Sequence, residues 1–159
     1  MRKALVAYFS ASGVTAGLAK TVAAAVNGDL HEIAPLHPYT PADLDWNNRQ
    51  SRSSIEMNDK SFRPIVANKV EAMADYDVIY VGFPIWWYVA PTIINTFLEQ
   101  YDLDGKTIIP FATSGGSGMG NTNAELAPSC KGAVLKDGKR FPAAATEAEI
   151  KAWADGFHL

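Results

Sequence analysis

The chain predicts an α/β protein, a parallel sheet covered by helices on both faces in a three-layer α/β/α sandwich. Three observations carry this expectation. Ala4 to Phe9, Asp77 to Phe83 and Thr107 to Ala112 are short, apolar, β-rich runs of the kind that lie buried in a parallel sheet. Stretches of helical period alternate with them, as in βαβ units. Each run is followed by a loop of unusual chemistry. The 159 residues, 48% of them hydrophobic, suit one compact domain spanning 1–159.

The first strand is expected at about 3–9. Val14, Leu18, Val22 and Val26 recur every fourth residue and form one apolar helix face, which Asn27-Gly28 stops. Strand two is placed at 29–34 and a second helix near 66–74. The run 77–83 is the central strand, ended by Pro84. A helix over about 91–101 turns Ile93, Ile94, Phe97 and Leu98 inward and reaches the turn 102–105. Strand four follows at 107–112. Residues 121–129 read as a short helix, 132–135 as an edge strand and 146–157 as a terminal helix, with Thr146 and Glu149 spaced as a capping box.

Charge and cysteine content exclude several function classes. A formal net charge of −3, with basic residues only paired at Arg2-Lys3 and Lys139-Arg140, argues against nucleic acid as a partner, since phosphate neutralisation needs clustered Lys and Arg. One cysteine, Cys130, allows no intramolecular disulfide framework and no multi-cysteine metal site. His31, His37 and His158 lack zinc-ligand spacing, so no metal is expected. No apolar run approaches the ~20 residues of a membrane helix. The expectation is a cytoplasmic protein without a membrane partner.

Three loops carry the chemistry. Ser10-Ala11-Ser12-Gly13-Val14-Thr15 joins the first strand to the first helix. Its three hydroxyls, permissive glycine and helix-start N–H groups can surround a phosphate without lysine or arginine, although Ser and Thr are also ordinary helix caps. Pro84-Ile85-Trp86-Trp87-Tyr88 leaves the carboxyl end of the central strand, where open α/β sheets bind ligands. A flat polycyclic ligand suits its aromatics, one of which is expected to serve packing instead. Thr113-Ser114-Gly115-Gly116-Ser117 follows strand four, and its glycines let the backbone approach a ligand edge. Together the loops describe a nucleotide-like ligand.

In order and spacing, these segments resemble the flavodoxin fold family, closest to a single-domain group whose third strand ends in Pro-Ile-Trp-Trp. The likeness runs through the hydroxyl loop at 10–15, Asp75 to Ile79 entering Gly82 to Trp87, Ala90-Pro91, Thr96 to Glu99 and Gly105 to Phe111. It implies a five-stranded parallel sheet of order 2-1-3-4-5 with FMN at the strand ends. Ser10, Ser12, Gly13, Val14 and Thr15 then hold the phosphate. Pro84, Ile85, Trp86, Trp87 and Tyr88, with Thr113, Ser114, Gly115, Gly116 and Ser117, flank the ring system.

Two departures stand out. Val14 replaces the asparagine usual in the family's phosphate loop, and Tyr88 replaces a glycine beside the flavin, which raises the cost of turning that peptide and favours net two-electron turnover. Residues 114–120 also lack a stacking aromatic, leaving one flavin face open. The resemblance implies an electron-transfer protein working with a redox partner protein. Two alternatives remain, an NAD(P)H-dependent reductase of quinones or nitro compounds and a flavin-free binding module. Monomer and homodimer are both compatible.

Other motifs carry less. Gly105-Lys106-Thr107 is no Walker loop, because the earlier glycine is replaced by Gln100, and the near-match to a hydrolase elbow at 115–119 ends in Met119. Cys130 reads as a small packing residue. Residues 35–64 break the pattern. They are expected to form a partly helical surface excursion anchored by Trp46, a lid being the alternative.

Overall fold

The computed structural model describes residues 3–114 and 116–159. Strands β1 (Ala4–Tyr8), β2 (Asp29–Glu32), β3 (Val78–Pro84), β4 (Thr107–Thr113), β5 (Val134–Leu135) and β6 (Lys139–Arg140) form one sheet. Its path is β2-β1-β3-β4-β5, with β6 also on β4, and every pairing is parallel. The expected order 2-1-3-4-5 is therefore observed.

The fifth position is split, which the sequence reading did not anticipate. Thr107 and Ile108 pair with Val134 and Leu135, and Phe111 and Ala112 pair with Lys139 and Arg140. Between these rungs two residues of β4 face three of the edge chain, 136–138. Pro110 sits at the break and has no N–H for the ladder. Gly138 fills the gap against the Pro110 carbonyl, 2.9 Å from the position a Cβ would take.

Helices α1 (Val14–Val26), α2 (Arg52–Met57), α3 (Thr92–Glu99), α4 (Thr122–Leu126) and α5 (Glu147–Asp155) complete the layers. Side chains alternate across the sheet as the pleat requires. Leu5, Ala7, Phe9, Ile79, Val81, Phe83 and Ile108 join Ile93, Ile94, Phe97 and Leu98 of α3 in one core. Val6, Tyr8, Val78, Tyr80, Ile109 and Phe111 join Leu18 and Val22 of α1 and Ile150 of α5 in the other. Each fully buried Ile or Phe contributes roughly 1.5–3 kcal/mol.

Local signals explain most boundaries. Asn27 closes α1 in a left-handed conformation, φ 53°. Thr146 caps α5 by accepting a hydrogen bond from the Glu149 N–H at 3.2 Å, and its hydroxyl meets the Glu149 carboxylate at 3.1 Å. The buried face of α1 is Thr15, Leu18, Ala19 and Val22, whereas Val14, at the helix start, is exposed.

Two expectations need correction. No α-helix forms over 66–74, only a 3-10 turn at Met73–Asp75. Asn68 prevents it by bridging the edge of β2, accepting from the Ala34 N–H and donating to the Glu32 carbonyl, while Val66 pairs with Pro35. The excursion 35–64 does contain a helix, α2, but Trp46 is 71% exposed and anchors nothing. Tyr39 anchors it instead, edge-on to Phe9 and Trp86 at 5.5 and 5.4 Å. Arg52 lies 3.7 Å over the Tyr39 ring and donates to the His37 carbonyl and the Glu56 carboxylate.

Gly82, in the middle of β3, leaves room for the Phe111 ring, which a methyl group there would overlap. Gly82→Ala is expected to lose about 1–3 kcal/mol by overpacking, read as a lower urea midpoint. An unchanged midpoint would contradict this packing.

Candidate functional site

Because β1, β3 and β4 are parallel, the loops that leave them, 9–13, 85–91 and 114–121, emerge on one edge of the sheet. The last rung of the β3–β4 ladder pairs Pro84 with Thr113, and the Ile85 N–H donates to the Thr113 carbonyl at 2.9 Å. The Thr15 and Thr113 hydroxyls, both buried, are hydrogen-bonded at 2.7 Å and fasten the start of α1 to the end of β4.

The first loop is built around Ser10. Its hydroxyl accepts from the N–H groups of Gly13 and Ala16, each at 3.1 Å, and so shapes the turn from inside. Gly13, with φ 93°, occupies the N-cap position without a side-chain cap, and open space lies where a Cβ would stand. Among the described residues, the N–H groups of Ser12, Val14 and Thr15 have no protein acceptor. Ser12, Gly13 and Val14 are exposed. Free N–H groups at a helix start are the kind of donor set that can accept an anion through backbone dipoles.

The second loop contains a tight turn. Trp86 and Val89 exchange backbone hydrogen bonds at 2.9 and 3.2 Å, and the two residues between them, Trp87 and Tyr88, have φ 50° and 68°. Positive φ at both central positions is the signature of a type I′ turn, which Asn-Gly fills at far lower cost than two aromatics. The turn is held from below. The Tyr88 carbonyl accepts the Asn121 N–H at 3.1 Å and packs where Gly120 leaves no room for a side chain.

The two tryptophans divide their work. Trp86 packs edge-on against Phe9, 5.7 Å away, and Tyr39, whereas Trp87 and Tyr88 stand exposed. A cavity of about 540 Å³ opens beside them, lined by Ile85, Trp86, Trp87, Tyr88 and Ser117 together with Leu44, Trp46 and Ser53. The last three come from the 35–64 segment and were not foreseen. Ser53 is buried, and among the described residues its hydroxyl has no partner.

The third loop is braced by a residue the sequence did not single out. Arg140 donates through Nε to the Ser114 hydroxyl at 3.2 Å and through Nη2 to the Ser114 carbonyl at 3.0 Å. The Ser114 hydroxyl in turn accepts from the Gly116 N–H and donates to the Ser117 carbonyl. Gly115, an expected contact, lies outside the described residues. The edge-strand split places Arg140 beside Ala112, and no spacing rule reveals that from the sequence.

Burial governs two further titratable groups. Burial and then the hydrogen-bonded Glu56 carboxylate push the Tyr39 phenol well above its ordinary value. Burial pushes the Cys130 thiol up to about 11, which keeps it protonated and unreactive at neutral pH. Among the described residues, no group of three or more His, Cys, Asp or Glu side chains is placed to hold a metal. No helix among them is long and apolar enough to cross a membrane.

A family model described as flavodoxin matches residues 3–157. The chain belongs to the flavodoxin family. Among solved structures, the chain is 51% identical to a protein of Bacteroides eggerthii DSM 20697 solved as a "putative flavoprotein", with a TM-score of 0.95 over 100% of this chain and 99% of that one. A similarly described protein of Bacteroides uniformis ATCC 8492 is 50% identical, with a TM-score of 0.91 over 97% and 98% of the two chains. A flavoprotein of Lactobacillus acidophilus NCFM, solved in complex with FMN, shares the fold at 22% identity, with a TM-score of 0.70 over 97% and 99%. No curated protein matches the chain.

The strained turn yields a direct expectation. Tyr88→Gly removes a left-handed side chain at an exposed position and is expected to raise stability by about 1 kcal/mol, seen as a higher urea midpoint. A lower midpoint would show that the ring contributes more than its backbone costs.

Proposed function

We propose that this protein binds FMN and passes electrons through it between a reductant and a protein or small-molecule acceptor. The observation that carries this reading is the pairing, on one sheet edge, of a helix start that keeps free N–H groups with a cavity walled by the Trp86–Tyr88 turn. The donor set fits a phosphate monoester, because free N–H groups with a left-handed glycine accept a dianion without a basic side chain. The cavity fits a flat ring system in both its volume and its aromatic wall.

In this reading the Ser12, Val14 and Thr15 N–H groups and the Ser12 hydroxyl bind the phosphate, while Ser10 shapes the loop and Gly13 provides its turn. Thr15 and Thr113 fix the distance between the cradle and the end of β4. Ile85, Trp87, Tyr88, Gly116 and Ser117 border the ring system, Trp86 supports the turn, and Pro84 and Ser114 set the loop positions. Bound FMN supplies the redox chemistry. Pinning of the Tyr88 carbonyl by Asn121 resists peptide reorientation at this turn and favours net two-electron exchange.

A second reading, an NAD(P)H-dependent reductase of quinone-like or nitro compounds, is favoured by the open flank of the site. Trp46 and Trp87 also border a further cavity of about 560 Å³ on the side of α2, with room for a small acceptor. Steady NAD(P)H oxidation with a quinone, in the absence of any partner protein, would select this reading over the carrier.

Titration of the flavin-stripped protein with FMN and with riboflavin, followed by flavin fluorescence quenching, tests the binding step. Even two of the four phosphate donors, as charge-assisted bonds, contribute about 3–4 kcal/mol, so FMN is expected to bind at least ~100-fold tighter than riboflavin. Equal affinities would remove the phosphate cradle from the account, and binding of neither would overturn the proposal.

A further inference from the structure

A separate cavity of about 360 Å³ lies behind the Trp87–Tyr88 turn, away from the 10–15 loop, between the start of α3, α4 and the 57–63 chain. Its walls combine two kinds of surface. Met57, Trp87 and Tyr88 supply apolar and aromatic area, and Thr92 and Asn95, both buried, supply polar groups.

Thr92 is only 6% exposed, and its hydroxyl is buried with no hydrogen-bond partner among the described residues. Leaving such a group unpaired costs about 1–3 kcal/mol. Thr92 is also the first residue of the eight-residue helix α3, whose N-cap, Pro91, offers no side-chain cap. Among the described residues the Thr92 and Ile93 N–H groups have no protein acceptor. An unpaired hydroxyl and two unpaired N–H groups at the positive end of a helix dipole form one donor cluster.

The charged residues at the rim are already matched. Lys60 pairs with Glu125 at 2.7 Å, and Arg63 holds both Glu99 carboxylate oxygens at 2.8 and 3.0 Å. The Glu125 carboxylate is therefore compensated, and selectivity for a ligand's charge falls to the helix start.

We propose that this cavity binds a small aromatic carboxylate, its anionic end on the Thr92 hydroxyl and the first N–H groups of α3 and its ring against Met57, Trp87 and Tyr88. The site stands apart from the FMN reading, since none of its donors belongs to the phosphate cradle. The Trp87–Tyr88 turn is the wall common to both, so occupancy here acts on the turn that borders the flavin cavity.

The test uses the full ¹⁵N-labelled chain, with and without FMN, titrated with benzoate and with its neutral counterpart benzamide while the 90–95 amides are followed. Benzoate is expected to bind saturably and about tenfold or more tighter than benzamide. Thr92→Val is expected to weaken benzoate about fivefold or more, and Thr92→Ser, which keeps the hydroxyl, to stay within about twofold of the parent. Equal affinity for the two probes, no saturation by about 10 mM benzoate, or an unaffected Thr92→Val would each overturn the proposal. If the valine variant fails to fold, the benzoate and benzamide comparison on the unchanged chain decides alone. Because these amides report without FMN, failure here leaves the FMN titration standing, and the reverse also holds.

Discussion

The parallel ladder β1–β3–β4 brings the carboxyl ends of three strands together and thereby decides which residues can meet. In a parallel sheet every strand points the same way, so chemistry written after each strand in sequence collects on one edge in space. The ladder depends on close contact at its centre, where Gly82 gives way to the Phe111 ring. It is then fixed at the carboxyl ends of its strands by the Thr15–Thr113 hydroxyl pair. One clasp sets the helix start that offers N–H groups against the strand end from which the third loop departs.

Around that rigid frame the loops store strain in one place. Two adjacent aromatics in left-handed conformations are costly, and they persist because Trp86 and Val89 close the turn and Asn121 and Gly120 hold the Tyr88 carbonyl. The turn borders two cavities, one beside the sheet edge and one at the start of α3. Its central position explains why backbone that glycine would adopt easily is carried here by side chains that supply wall area to both.

Elements governed by local pattern were readable from the sequence. The parallel strands, the inward face of α3 and the Thr146–Glu149 cap follow from periodicity and turn residues, and the strand order from the resemblance to the flavodoxin fold family. Contributions that arise from distant pairing were not. Arg140 reaches Ser114 only because Pro110 splits the edge strand, and Ser53 and Leu44 reach the cavity only because Tyr39 and Arg52 fold the 35–64 segment back onto Trp86. Trp46 misled for a related reason, since a large aromatic in a polar stretch looks like an anchor, whereas here it faces outward at a cavity mouth. The failed 66–74 helix shows one side chain, Asn68, redirecting a segment of helical composition to a strand edge.

Amide chemical-shift mapping of the labelled, flavin-stripped chain with FMN and then with riboflavin tests the central claim most directly. The account predicts that both flavins shift Trp87, Tyr88 and Ser117, and that only FMN shifts Ser12, Val14 and Thr15. Identical shifts in the 12–15 amides with either flavin, or FMN shifts confined to residues away from the three loops, would contradict it.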